Sequence, residues 1–176
     1  MLFTHPEKNL EAAYLAEGMS VADFGAGVGH HAIAAARRVG PTGSVYAVEI
    51  QPDLLSKLRA EAKGEKLENV HSILGDIEKP NGSTLANGSV DRVLMINVLF
   101  QLGSKVEALS EAKRVLNKGG QLVLIDWSDS FSQIGPHQDH VVKAAEAISL
   151  SEKAGFKLLQ QFEAGSHHYG LLFKVI

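Results

Sequence analysis

Cysteine is missing from all 176 residues, which excludes disulfides, thiolate metal sites and a cysteine nucleophile together. Basic excess is missing too. Seventeen Lys and Arg against 20 Asp and Glu leave a net charge of −3, so nothing draws the chain generally toward phosphate backbones or anionic lipid. No apolar run approaches the roughly 20 residues of a membrane span. Met1 to Lys8 lacks the cationic flank and continuous apolar segment of a secretory signal, so a cytoplasmic protein with no membrane partner is expected. Repeats and low-complexity tracts are also absent. What remains, 45% hydrophobic and 21% charged residues, fits one globular domain over residues 1–176, with oligomeric state left open.

The most informative stretch is Val21-Ala22-Asp23-Phe24-Gly25-Ala26-Gly27-Val28-Gly29-His30. A short apolar strand breaks into three alternating glycines and resumes as a helix. Such a turn admits positive φ and lets a ligand lie against the main chain, where a Cβ would intrude.

Other elements follow the same logic. Pro6 to Glu17 predicts a short leading helix ended by Gly18, so that residues 1–18 form an N-terminal helix or lid. Strands are expected at Ser20–Phe24, Ser44–Ile50, Val70–Leu74, Val90–Asn97 and Gln121–Asp126, separated by helices that begin after Gly29, Pro52 and Lys105. Asn117-Lys118-Gly119-Gly120 is expected to close the helix that begins at Lys105. The two Asn-Gly pairs at 81–82 and 87–88 mark a surface loop. Residues 127–142 have no clean period and read as an inserted loop on the substrate side. After a helix over Lys143–Ala154, Phe156–Phe162 and His168–Val175 form a hairpin. The order predicts an α/β fold, a doubly wound Rossmann-like sheet with the loops that follow its strands gathered on one edge.

Ligands of such sheets bind at that edge, where strand order reverses. Glu49 stands 20 residues beyond Gly29, the separation at which an acid accepts hydrogen bonds from ribose hydroxyls, so an adenosine-containing ligand is expected. A dinucleotide fingerprint needs a third glycine where this chain has His30, and Asp23 before the turn offers a phosphate nothing. An ammonium and a sulfonium suit Asp23 better.

With those residues in place, the chain resembles the class I S-adenosylmethionine-dependent methyltransferases over nearly its whole length. Asp23 with Gly25, Gly27 and Gly29 matches the first motif, Glu49 the second-strand acid, and Gly75-Asp76 the pair after the third strand. Ser89-Val90-Asp91-Arg92-Val93, Asn97-Val98-Leu99 and Arg114-Val115-Leu116-Asn117-Lys118-Gly119-Gly120 resemble the ubiquinone/menaquinone-methyltransferase-like branch. The resemblance implies a seven-stranded sheet, mostly parallel with an antiparallel C-terminal hairpin strand. Its cofactor is S-adenosylmethionine, converted to S-adenosylhomocysteine. By position, Asp23, Gly25, Ala26, Gly27, Gly29 and His30 would hold the methionine portion and Glu49 the ribose. Ile50, Asp76 and Ile77 would meet the adenine, with Asn97 and Val98 bordering the sulfonium.

Methyl transfer to a small molecule is the expected activity, with a lysine-bearing protein or RNA as alternative acceptors. An NAD-dependent oxidoreductase and a non-catalytic binding module are the alternatives from other classes. The family's histidines after the fourth strand are replaced by Phe100 and Gln101, and its Asn-Pro-Pro-aromatic grip on an exocyclic amine is absent, so no catalytic residue is assigned. Phe3, Phe100, Gln101, Trp127, His137, His140 and Tyr169 are the candidate acceptor-pocket residues. The His137–His140 and His167-His168 imidazoles lack a matching ligand set, so no metal is expected.

Overall fold

A computed structural model describes residues 6–131 and 134–176. Phe3, a candidate pocket residue, lies outside the described residues, as do residues 1–5 of the expected N-terminal helix or lid over residues 1–18.

Seven strands form one sheet in the order β3-β2-β1-β4-β5-β7-β6. They are β1 (Ser20–Phe24), β2 (Ser44–Glu49), β3 (Val70–Leu74), β4 (Val90–Ile96), β5 (Leu116–Trp127), β6 (Phe156–Glu163) and β7 (His168–Val175). Pairings from β3 through β5 are parallel, and β7 runs antiparallel to both β5 and β6. Strand order reverses between β1 and β4, which defines the crevice where the carboxyl ends diverge.

The sheet is covered on both faces, and its central strands are apolar for that reason. Helix α2 (His30–Val39) packs Ala32, Ala35, Ala36 and Val39 on one face with Val21, Val45, Leu94 and Ile125. Helices α4 (Lys105–Val115) and α5 (Ala144–Lys153) cover the other face over Phe24, Met95, Leu124 and Phe173. Helix α3 (Pro52–Gly64) contributes Leu58 to the α2 side. Among the described residues, no helix is long and apolar enough to cross a membrane.

Three boundaries differ from expectation. The leading helix is one α turn, α1 (Pro6–Asn9), followed by a 3₁₀ turn to Ala13, and it ends at Tyr14 with φ +48° rather than at Gly18. Burial of Asn9, Leu10 and Ala13 fixes this segment on α2, and Leu15 and Met19 pack on the same core from the non-helical stretch that follows. Strand β5 starts at Leu116, which pairs with Val90; extra residues of β5 then loop out before the register resumes at Arg92 and Gln121. Trp127, placed by sequence in the inserted loop, is the buried last residue of β5 and pairs with His168.

A candidate donor cradle at the strand-order reversal

The turn between β1 and α2 assigns its three glycines different tasks. All three have positive φ. A Cβ on Gly25 would stand 2.5 Å from Val98 Cγ2, and one on Gly29 would stand 2.6 Å from Leu58 Cγ, so these two permit close packing against β4's loop and α3. A Cβ on Gly27 would meet nothing within 4 Å. Gly27 therefore faces open space, and its conformation alone calls for glycine.

Two carboxylates flank that opening. Glu49, 6% exposed, accepts the N–H of Gly27 at 2.9 Å, of Ile50 at 2.9 Å and of Gln51 at 3.0 Å. Asp23, 3% exposed, accepts the N–H of Ala32 in the first turn of α2, while its Oδ2 has no partner. Burial first, and the nearby Glu49 charge second, push the Asp23 carboxyl from 3.8 up to about 7. A buried acid with an unused oxygen is costly unless something else completes it.

The hollow in front of these groups has a volume of about 260 Å³ and takes in Gly25, Gly27, Glu49, Ile50, Asp76 and Val98. Ile50 stands 58% exposed beside it while Ile77 is buried. Asp76 lies at the rim, accepting the Glu78 N–H and pairing with Lys79 Nζ at 3.1 Å. Asn97, just before Val98, adopts a left-handed conformation, φ +57°, with its Oδ1 buried and unpartnered; neither it nor Asp23 lines the hollow itself. A larger hollow, about 580 Å³, lies at the opposite edge around Gly40, Lys66 and Asn69. None of its lining residues comes from the turn at the strand-order reversal, so position rather than volume picks out the cradle.

The acceptor-pocket candidates do not form one group. Phe100, Gln101 and His140 share a second hollow of about 420 Å³, and Gln101 and Leu102 line both it and the cradle. His137 is exposed in the 3₁₀ turn near His140. Tyr169 lies buried in the core beneath α4 and α5 with its hydroxyl donating to the Val142 carbonyl. Trp127 points to the opposite face and packs at a tilt of 42° against His168, ring centroids 4.2 Å apart. Sequence reasoning passed over Asp126, buried at the end of β5, whose carboxylate accepts the N–H groups of Phe100 and Trp127 and so ties the corner after β4 to β5. Burial raises its carboxyl to about 6. Its place on the carboxyl edge was visible in the strand pattern; its partners were not.

A family model described as a methyltransferase domain matches residues 15–167. Among solved structures, a SAM dependent methyltransferase from Aquifex aeolicus superimposes with a TM-score of 0.90 at 28% identity, covering 99% of this chain and 91% of that one. An arsenite methyltransferase from Halobacterium salinarum is 33% identical over 78% of this chain, which spans 33% of that protein. A protein-L-isoaspartate O-methyltransferase from Methanothrix thermoacetophila is 32% identical over 81% of this chain and 66% of that protein.

Proposed function

The chain belongs to the S-adenosylmethionine-dependent methyltransferases, and on that premise we propose that it transfers the donor's methyl group to a small-molecule acceptor by in-line displacement. The observation that carries the reading is Asp23: a buried carboxylate with an unpartnered oxygen, next to a glycine turn with room for a ligand. The donor's cationic amino-acid end answers that need. A pyrophosphate does not, since it would bring negative charge to two buried acids.

Asp23 and the turn from Gly25 to His30 then hold the methionine portion. Glu49 takes the ribose: a carboxylate has about four acceptor sites and three are filled, so a hydroxyl occupies the fourth or displaces the Gly27 N–H. Ile50 and Ile77 pack on the adenine ring, with Asp76 at its amine. Asn97 and Val98 border the reacting centre. S-Adenosylmethionine supplies a methyl carbon activated by its positive sulfur, with a neutral thioether as leaving group. The chain's own task is to hold the acceptor in line with that carbon and keep water away.

The acceptor is not arsenite on this reading. Trivalent arsenic is soft and favours thiolate ligands, and the chain has no cysteine to offer. A protein acceptor stays the alternative, since a protein-L-isoaspartate O-methyltransferase is among the similar proteins, while the net charge of −3 gives RNA no footing. The test is transfer of label from methyl-labelled S-adenosylmethionine to a panel of phenols, quinols, thiols, amines, arsenite, lysine peptides and tRNA. Label on a small organic acceptor is expected. Label confined to peptide or tRNA would replace the small-molecule reading.

A further inference from the structure

Resting on the methyl-transfer reading, we propose that His167 and Asp129 form a general-base dyad, and that the acceptor is a ring-bearing molecule with a protic nucleophile seated against Phe131. His167 Nδ1 lies 2.9 Å from Asp129 Oδ1 and 3.2 Å from Oδ2. Beside a carboxylate that only accepts, Nδ1 carries the hydrogen and Nε2 is left as the basic nitrogen. The imidazole lies flat on Phe131, with centroids 3.9 Å apart and planes at 23°. Backbone holds the pair together: the Ser128 N–H donates to the His167 carbonyl at 2.8 Å.

The location makes this more than a surface ion pair, which by itself contributes little. Asp129 follows β5, so its bond turns the His167 ring from β7 toward β5 and the strand beyond it, β4. Two strand spacings, roughly 10 Å, separate β7 from β4, a distance that an imidazole and the bonded atoms of an acceptor cover together. The corner nearer Asn97 presents Phe100 and Gln101, neither of which takes a proton, and among the described residues no carboxylate orients the ring of His140 in the hollow they share as Asp129 orients His167. Apolar surface is also displayed here: Phe131 is 36% and Ile134 is 54% exposed, next to the buried, tilted Trp127–His168 pair. Exposed apolar groups beside a reaction site mark where a ligand's own apolar part lies. Stacked rings favour a flat partner.

The step balances simply. The acceptor's proton passes to Nε2 of His167, and the electron pair it leaves forms the new bond to the methyl carbon. The carbon–sulfur pair departs with sulfur, and His167 returns the proton to water. General-base assistance of this kind is worth about 100- to 10,000-fold.

The experiment uses labelled S-adenosylmethionine with a phenol, a quinol and an aryl thiol, set against arsenite and a tertiary amine, which carry no proton on the attacking atom. Calorimetry with S-adenosylhomocysteine runs in parallel. Turnover of a protic ring acceptor is expected, with kcat falling about 100-fold or more in His167→Ala and recovering in part with added imidazole. Asp129→Asn should lower kcat about tenfold at unchanged KM, and Phe131→Ala should raise KM at unchanged kcat. Homocysteine-product affinity should match wild type in all three. Trp127 is the single tryptophan, so its fluorescence should change saturably as the acceptor is titrated onto the product complex. The proposal is overturned if His167→Ala turns over normally, if only the arsenite or tertiary amine is methylated, or if nothing is methylated although the product binds. Failure to bind the product would instead remove the methyl-transfer reading itself.

Discussion

Glu111 and Asp23 are both buried carboxylates, each 3% exposed, and they are treated in opposite ways. Glu111 accepts the N–H groups of Asn81 and Ser83, the Ser83 hydroxyl and a two-pronged contact from Arg114. Burial alone would raise its carboxyl, but those donors and the Arg114 charge hold it down to about 2. Asp23 is given one backbone donor and no cation, and burial carries it up to about 7. The first acid is completed by the fold and clasps the Asn81–Ser83 loop to α4. The second is left incomplete, as sites are when a ligand is to finish them. Completion separates the carboxylate that stabilises from the one proposed to bind.

The largest effect should come from breaking the completed acid. Glu111→Ala strips two loop N–H groups, the Ser83 hydroxyl and the half-buried Arg114 of their acceptor and should cost about 3 kcal/mol in denaturant unfolding. Loss of under 1 kcal/mol would mean that Glu111 is as dispensable as a surface charge. Asp23→Asn should act in reverse, raising stability above pH 7 by on the order of 2 kcal/mol while weakening S-adenosylmethionine binding at least tenfold. An equally destabilised Asn variant would erase the contrast.

Acid and neutral pH should separate the two groups. Glu111 is held below its ordinary 4.5, so its contribution is full above that value and is lost as pH falls toward about 2. Asp23 is raised from 3.8, so the folded chain keeps a proton that the unfolded chain has released. Its stabilising share is present at low pH and drains away as pH rises from about 4 to about 7. Stability curves of the two variants should each lose one of these slopes. Because a cationic donor favours ionised Asp23, donor affinity should also rise through pH 7 with release of a proton, a step absent in Asp23→Asn.

The smallest effect belongs to the turn. Gly27→Ala meets open space and should cost only about 1 kcal/mol for its positive φ, whereas Gly25→Ala also meets Val98 and should cost more. Melting temperatures of the two variants would order them.

Much of this was legible from the chain. Alternating glycines, Asp23 before them and Glu49 on the next strand pointed to the cradle because they are close in sequence or in a fixed strand register. Glu111 was invisible as a buried acid, since its partners Ser83 and Asn81 arrive from a loop some 30 residues away. Asp129 and His167, 38 residues apart, meet only because β7 folds back beside β5. Tyr169 and Trp127 read alike as aromatic residues near a pocket. Strand alternation sends them to opposite faces of the sheet, a distinction that required the exact register of β5 on β7.

The central claim is that the cradle is built for a methionine head group rather than a pyrophosphate. Calorimetric titration of the protein with S-adenosylhomocysteine and with NAD tests it most directly. Saturable, one-to-one binding of S-adenosylhomocysteine that weakens in Asp23→Asn and Glu49→Ala, with no heat from NAD, is the predicted result. Binding of NAD without S-adenosylhomocysteine would contradict it.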